Sequence, residues 1–208
     1  MMKRCIVIGS MPVDFDLKSI IRSDDFIYCA DGGYVHAESQ DIEPDIIIGD
    51  FDSSSYPAQT SAKVVKLPCE KDDTDTYYIA RQIVTEGYTH AVFCGVTGGR
   101  LDHTIANIQM LKFLEQNGVD AVIVDKTTTI NVITNRSVTL QPQNDRYFSV
   151  FSLDNECTGV SEKGGKYRIS DVKITNDFPI GVSNEFKGEA VEISVKNGTL
   201  LIITTKKD

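Results

Sequence analysis

Tryptophan is absent from the 208 residues, and cysteine, histidine and positive charge are scarce. The five cysteines, Cys5, Cys29, Cys69, Cys94 and Cys157, are odd in number, scattered, and mostly set in apolar strand-like runs. They read as reduced packing residues and exclude a disulfide scaffold or a cysteine-based zinc site. No apolar run approaches the roughly 20 residues that span a bilayer. The apolar run after Met1-Met2-Lys3-Arg4 ends at Gly9, too short for a signal-peptide core. Lys and Arg number 21 against 30 Asp and Glu, a net charge of -9, and the cations occur singly with no basic stripe. A nucleic-acid groove or an anionic membrane surface is thereby excluded as the main partner. The expectation is a soluble cytoplasmic protein.

What is present alternates. Strand-like segments near Cys5–Ile8, Phe26–Cys29, Asp45–Ile48, Val64–Leu67, Val92–Val96 and Ala121–Val124 are separated by helical stretches up to Asn117-Gly118. Such alternation implies a mostly parallel sheet covered by helices. After Asp125 the texture changes to strands and turns: Thr127–Ile130, Val138–Leu140, Tyr147–Phe151, Val191–Val195 and Leu200–Ile203, with Asn197-Gly198 reading as a hairpin turn. The expected fold class is α/β, with an α/β domain over residues 1–125 and an all-β sandwich or barrel over 126–208.

Three polar clusters fall at strand ends. Gly95-Val96-Thr97-Gly98-Gly99-Arg100-Leu101-Asp102-His103 joins the apolar Ala91–Cys94 to a helix in which Leu101, Ile105, Ile108 and Leu111 recur at helical spacing. At the carboxyl edge of a parallel sheet such a junction brings backbone N–H groups and a helix start to a phosphate, and as a plain turn Thr-Gly-Gly is ordinary. Asp50 and Asp52 end the strand Asp45–Ile48 one residue apart. In extended backbone they share a side, as ligands for a hard divalent cation or as a solvated Asp-Ser turn. The third cluster, Glu70-Lys71-Asp72-Asp73-Thr74-Asp75, precedes a helix carrying Ile79, Ala80, Ile83 and Val84, with Asp73 or Thr74 as N-cap. Acids for a metal and cations for phosphate are what phosphoryl-group transfer requires.

Ala30-Asp31-Gly32-Gly33, Gly49-Asp50-Phe51-Asp52-Ser53, Lys71-Asp72-Asp73-Thr74-Asp75, Gly98–His103 and Gly181–Phe186, in this order, resemble the thiamine pyrophosphokinase family over nearly the whole chain. The resemblance implies a Rossmann-like α/β/α domain that binds ATP and Mg²⁺, followed by a β domain that binds thiamine. It implies Asp50, Asp52, Asp75 and Asp102 as metal ligands, and Lys71 and Arg100 as braces for the polyphosphate. Asp31, Gly32, Gly33, Thr97, Gly98, Gly99 and His103 would seat the phosphates, and Asp72, Tyr167, Ser183 and Asn184 the thiamine. Tyr167 stands where the family commonly has tryptophan, offering a smaller flat face. The family is homodimeric, with its cleft between subunits, and the Val- and Ile-rich C-terminal strands are the expected apolar interface.

The implied reaction gives thiamine diphosphate and AMP. His103 is a general base by type or a phosphate ligand, the latter being favoured, whereas His36 and His90 lack a supporting constellation. Three rivals keep parts of the pattern: a pyrophosphokinase of another heterocyclic alcohol such as a hydroxymethylpterin, a Mg²⁺-dependent phosphohydrolase, and a sensor without turnover. Competing substrates and product analysis separate the first two. Clustered carboxylates argue against the third.

Overall fold

A computed structural model describes residues 3–51, 60–68 and 73–207. The chain is mixed α/β and divides into two compact units, Met1–Lys126 and Thr127–Asp208.

The first unit is built on six strands: β1 (Arg4–Ile8), β2 (Phe26–Ala30), β3 (Ile46–Gly49), β4 (Lys63–Lys66), β5 (His90–Cys94) and β6 (Asp120–Val124). They run parallel in the order β4-β3-β2-β1-β5-β6. Helices α1 (Gly33–Glu38), α2 (Asp75–Thr85) and α3 (Leu101–Gln116) lie in the connections after β2, β4 and β5. β1 is central, and its Cys5–Ile8 are all buried, as a parallel strand covered on both faces requires. Ile6, Ile8, Ile27, Ile47, Val92 and Cys94 belong to one apolar cluster beneath the sheet. Each such aliphatic side chain contributes about 1.5–3 kcal/mol through burial, so the strand ends are held by the best-packed part of this unit.

The chain lays down β1 to β4 outward on one side, then returns to place β5 on the other flank of β1. The strand order therefore reverses between β1 and β5. The loops leaving these strands are joined there by Gly9 N to Cys94 O at 2.8 Å and Met11 N to Gly95 O at 2.9 Å. α1 packs so tightly that a Cβ on Gly33 would lie 2.0 Å from the Ile8 carbonyl oxygen. Only glycine fits that approach.

α3 turns inward only part of the face its spacing suggests, with Leu111 buried as expected. Asn107, Met110, Leu111 and Leu114 are buried, whereas Leu101 and Ile105 are exposed.

The second unit is all β, with β7 (Thr128–Thr134), β8 (Ser137–Leu140), β9 (Arg146–Ser152), β10 (Glu156–Lys163), β11 (Ile169–Thr175), β12 (Gly181–Glu185), β13 (Val191–Ser194) and β14 (Thr199–Lys206). Within it β12-β9-β14-β7 and β11-β10-β13-β8 are antiparallel sets. Phe148, Val150 and Ile202 of the first share one core with Val160, Ile174 and Ile193 of the second.

Asn197-Gly198 does not form a hairpin, because β13 and β14 belong to different sets. A type I′ turn needs positive φ at both central residues, and of these two Gly198 alone has it, at 112°. The segment instead bridges Thr158 and receives support from Asn135, whose Oδ1 accepts from Gly198 N at 2.8 Å. Of the Val- and Ile-rich C-terminal strands, Val191, Ile193, Leu200 and Ile202 are buried in the unit's own core, and the exposed large apolar side chains among the described residues of this unit include Tyr167, Phe178, Ile180 and Val182.

Candidate active site

A cavity of about 460 Å³ lies at the carboxyl edge of the parallel sheet. Gly9, Ser10 and Met11 follow β1, Asp31 follows β2, Asp50 follows β3, and Gly95 and Val96 follow β5, and all of them line it. Thr74, Asp75 and Thr76 from the start of α2 and Arg100, His103 and Asn107 from α3 complete the wall. The topology explains the position: diverging connections on either side of a reversal in strand order leave a crevice outside the strand ends.

Two left-handed non-glycine residues stand at the same edge. Asp31 and Phe51, flanking Asp50 on adjacent strand ends, have φ of 48° and 58°. Each left-handed non-glycine residue costs on the order of 1–3 kcal/mol, and the packed strands behind them supply the constraint. Thr74 caps α2, its Oγ1 accepting from Tyr77 N at 3.2 Å, and so sets Asp75 in the first helical turn. An acid there is favoured by the positive end of the helix.

Asp31, Asp50, Asp75, Arg100 and His103 come together around the cavity. Asp102 faces Arg100: Nε and Nη2 donate to Oδ1 and Oδ2 at 3.2 and 2.6 Å. The Arg100 hydrogen bonds hold the exposed Asp102 carboxyl down at about 2. Thr97 donates to Asp125 Oδ2 at 3.1 Å, and Gly98 and Gly99, with φ of 85° and 61°, turn the chain into α3. Gly33 is a packing residue, and Gly32 precedes α1 at its N-cap. Asp52, Lys71 and Asp72 lie outside the described residues. Cys5, Cys29, Cys94 and Cys157 are buried, and burial pushes the Cys5 and Cys94 thiols up to about 12, which removes them as nucleophiles.

In the β unit a smaller cavity, about 70 Å³, is lined by Tyr167 and Asn184 together with Glu162, Ile169, Ile180 and Val182 among others. Tyr167 is 61% exposed at this site, whereas Asn184 is 4% exposed. Asn184 Nδ2 donates to Glu162 Oε2 at 2.8 Å and to the Tyr167 carbonyl at 2.7 Å. Its Oδ1 accepts from the Tyr167 and Glu185 backbone N–H groups, each at 2.9 Å. All four hydrogen-bonding positions of this carboxamide are thus used, and it shapes the cavity wall. Ser183, at φ 58°, sits where the pairing of β12 with β9 shifts register, and its N–H donates to Ser149 Oγ at 3.0 Å.

Residues 17–123 match the family described as thiamin pyrophosphokinase, catalytic domain, and residues 129–200 match its vitamin B1 binding domain. The chain belongs to the thiamin pyrophosphokinase family. It is similar to the thiamine pyrophosphokinase of Bacillus subtilis (strain 168), with 26% identity over 181 residues, covering 83% of this chain and 84% of that protein. Its fold is similar to the crystal structure of thiamine pyrophosphokinase from Bacillus subtilis, with a TM-score of 0.91, 24% identity, and coverage of 99% of this chain and 100% of that one. Thiamin pyrophosphokinase from Candida albicans gives a TM-score of 0.83 at 17% identity, covering 99% of this chain and 90% of that chain.

Within this family framework the donor set bears on the metal. Among the described residues no group of three or more His, Cys, Asp or Glu forms a ready-made metal centre. Asp31, Asp50 and Asp75 nevertheless offer hard carboxylate oxygens around one cavity. This fits Mg²⁺, which is commonly held by one or two carboxylates, with water and substrate phosphate filling its other positions.

The sequence reading missed Asn107, Ser10 and Glu162. Asn107 had a signal, because it lies three, four and seven residues before the buried Met110, Leu111 and Leu114, in register with the inward face. Its Nδ2 donates to the Val96 carbonyl at 2.7 Å. Glu162 stands two residues from Val160, and strand alternation puts both on the inner side once β10 is recognised.

Proposed function

We propose that this chain transfers the pyrophosphoryl group of ATP to the hydroxyethyl oxygen of thiamine. A bond forms between that oxygen and the β-phosphorus. The bond from the β-phosphorus to the α–β bridging oxygen breaks, AMP leaves with that oxygen, and the hydroxyl proton passes to a carboxylate or solvent. The carrying observation is the cavity at the strand-order reversal, where Asp31, Asp50 and Asp75 stand with Arg100 and His103 in a chain of this family.

Asp50 and Asp75, with Asp52 and Asp102 as further candidates, would hold Mg²⁺, which when bound neutralises charge on the polyphosphate. Arg100 supplies a planar fork for phosphate oxygens, and Asp102 orients that fork through its paired hydrogen bonds. His103 binds phosphate, Lys71 braces the polyphosphate, and Asp72 or Asp75 orients the attacking hydroxyl. Positioning and charge neutralisation dominate phosphoryl transfer, so no strong base is required.

In this reading the first unit is a Rossmann-like ATP domain and the second a β sandwich that takes thiamine through Tyr167 and Ser183. The protein works in the cytoplasm as a homodimer with the active site at the subunit interface. The exposed Phe178, Ile180 and Val182 support it by offering apolar surface to a second copy.

The test is incubation with ATP, Mg²⁺ and thiamine, with a pterin alcohol in parallel, and identification of products by mass. Thiamine diphosphate with equimolar AMP, lost on chelation of the metal, is expected. AMP with the pterin alcohol alone replaces the substrate, and phosphate released without an acceptor sinks the transferase reading.

A further inference from the structure

The small cavity of the β unit contains a buried acid that nothing in the proposed reaction uses. Glu162 is 3% exposed, in walls otherwise made largely of Val150, Ile169, Ile174, Ile180 and Val182. An ionised carboxylate has about four acceptor positions. Among the described residues, one hydrogen bond meets it, from Asn184 Nδ2 to Oε2 at 2.8 Å. The other polar side chains of the wall are Asn184, whose carboxamide is already saturated, and Tyr167, which is 61% exposed at the rim. Burying a carboxylate with so few donors is costly, and a site retains that cost where a ligand donor answers it.

We infer that Glu162 accepts a hydrogen bond from the exocyclic amino group of the substrate's aminopyrimidine ring, and so selects amino- over oxo-pyrimidines. The inference rests on thiamine being the acceptor substrate. About 70 Å³ accommodates the edge of one ring with its small substituents, and Tyr167 at the rim leaves the rest of the molecule outside. The apolar wall suits a ring carbon or methyl group, so behind the rim residue Tyr167 the carboxylate sets the polar requirement. That requirement is for a donor: an amino group supplies one, and a ring carbonyl in its place would set oxygen against oxygen. Burial raises the Glu162 carboxyl above its ordinary value and the Asn184 bond draws it back down. A second donor from a ligand acts in the same direction as Asn184, favouring the ionised acceptor.

The experiment is calorimetric titration of the full chain with thiamine and with oxythiamine, its 4-oxo analogue, for the natural protein and Glu162→Gln. The natural protein should bind thiamine at least about tenfold more tightly than oxythiamine, the scale of one hydrogen bond to a charged group, and Glu162→Gln should bring the ratio to about one. Equal binding of the two ligands by the natural protein, binding of neither, or an unchanged ratio in Glu162→Gln overturns the inference. Should Glu162→Gln fail to fold, Glu162→Asp serves: it keeps the charge but withdraws the carboxylate by one methylene, so the preference for thiamine over oxythiamine should fall several-fold, and an unchanged ratio overturns the inference. Formation of thiamine diphosphate reports separately on the reaction: product without amino selectivity removes Glu162 and leaves the proposed function standing.

Discussion

Asn107, buried on α3, donates from Nδ2 to the carbonyl of Val96 at 2.7 Å and thereby ties the body of the helix to the loop leaving β5. The bond spans the turn through Gly98 and Gly99 that carries Arg100 and His103 to the cavity. Asn107→Leu keeps side-chain volume but leaves the Val96 carbonyl without this donor. It should cost about 1–3 kcal/mol of stability and lower kcat/KM for ATP, as read by denaturant unfolding and steady-state kinetics. Full activity in a destabilised variant would confine Asn107 to packing.

Asp75→Asn removes a charge at the cavity and no core volume. Turnover should be lost while the thermal midpoint stays within a few degrees, whereas Thr74→Ala should cost about 1 kcal/mol through loss of the cap. Unimpaired turnover in Asp75→Asn would take Asp75 out of the chemistry.

The exposed Arg100–Asp102 pair gives a prediction about pH. Its hydrogen bonds depress the Asp102 carboxyl to about 2, so the ionised form is present above the ordinary carboxylate range and is lost only as pH falls toward that value. The activity deficit of Asp102→Asn should therefore be the same at pH 5 and pH 8. A deficit that disappears at pH 5 would mean that the Asp102 carboxyl is raised above its ordinary value of 3.8 and not held down by Arg100.

Glu162 has the opposite sign. Its carboxyl is raised by burial, so the folded state keeps a proton that the unfolded chain has released. Stability should decline as pH rises from the ordinary value of 4.5 through the raised one, then level off. Glu162→Gln should flatten that decline in thermal midpoints measured against pH, and an identical slope in both proteins would contradict the assignment.

Gly33→Ala tests packing alone. Its new methyl would meet the Ile8 carbonyl, so a loss of about 2–3 kcal/mol is expected. A stability near that of the natural protein would mean α1 can shift away from β1.

Much of this was legible in the chain. The strands of the first unit were visible because a parallel strand buried on both faces is a short apolar run, as in Cys5–Ile8 and Ile46–Ile48. Asp50 stood out because charge at the end of such a run has no packing purpose, Asp75 because it belongs to an acidic cluster with Lys71 before a helix, and Asp31 through the family motif. In the second unit β10, β11 and β12 escaped notice. Glu156–Lys163 carries Gly159 at φ 68°, and the pairings of β10 with β11 and β12 with β9 shift register, so no clean alternation survives. Asn197-Gly198 misled because turn chemistry is local, while the choice of sheet for β14 depends on Thr128–Thr134 and Arg146–Ser152.

The sequence by itself determined the α/β-then-β order, the acidic strand ends, and the family, since these follow from local patterning and from motifs in a set order. The tertiary structure decided which polar groups meet. It closed Asp102 onto Arg100, saturated Asn184 with four internal hydrogen bonds, turned Asn107 inward and sank Glu162 into an apolar wall. The reason is range: propensity and periodicity act over a few residues, whereas hydrogen-bond saturation and burial depend on partners that only folding brings together.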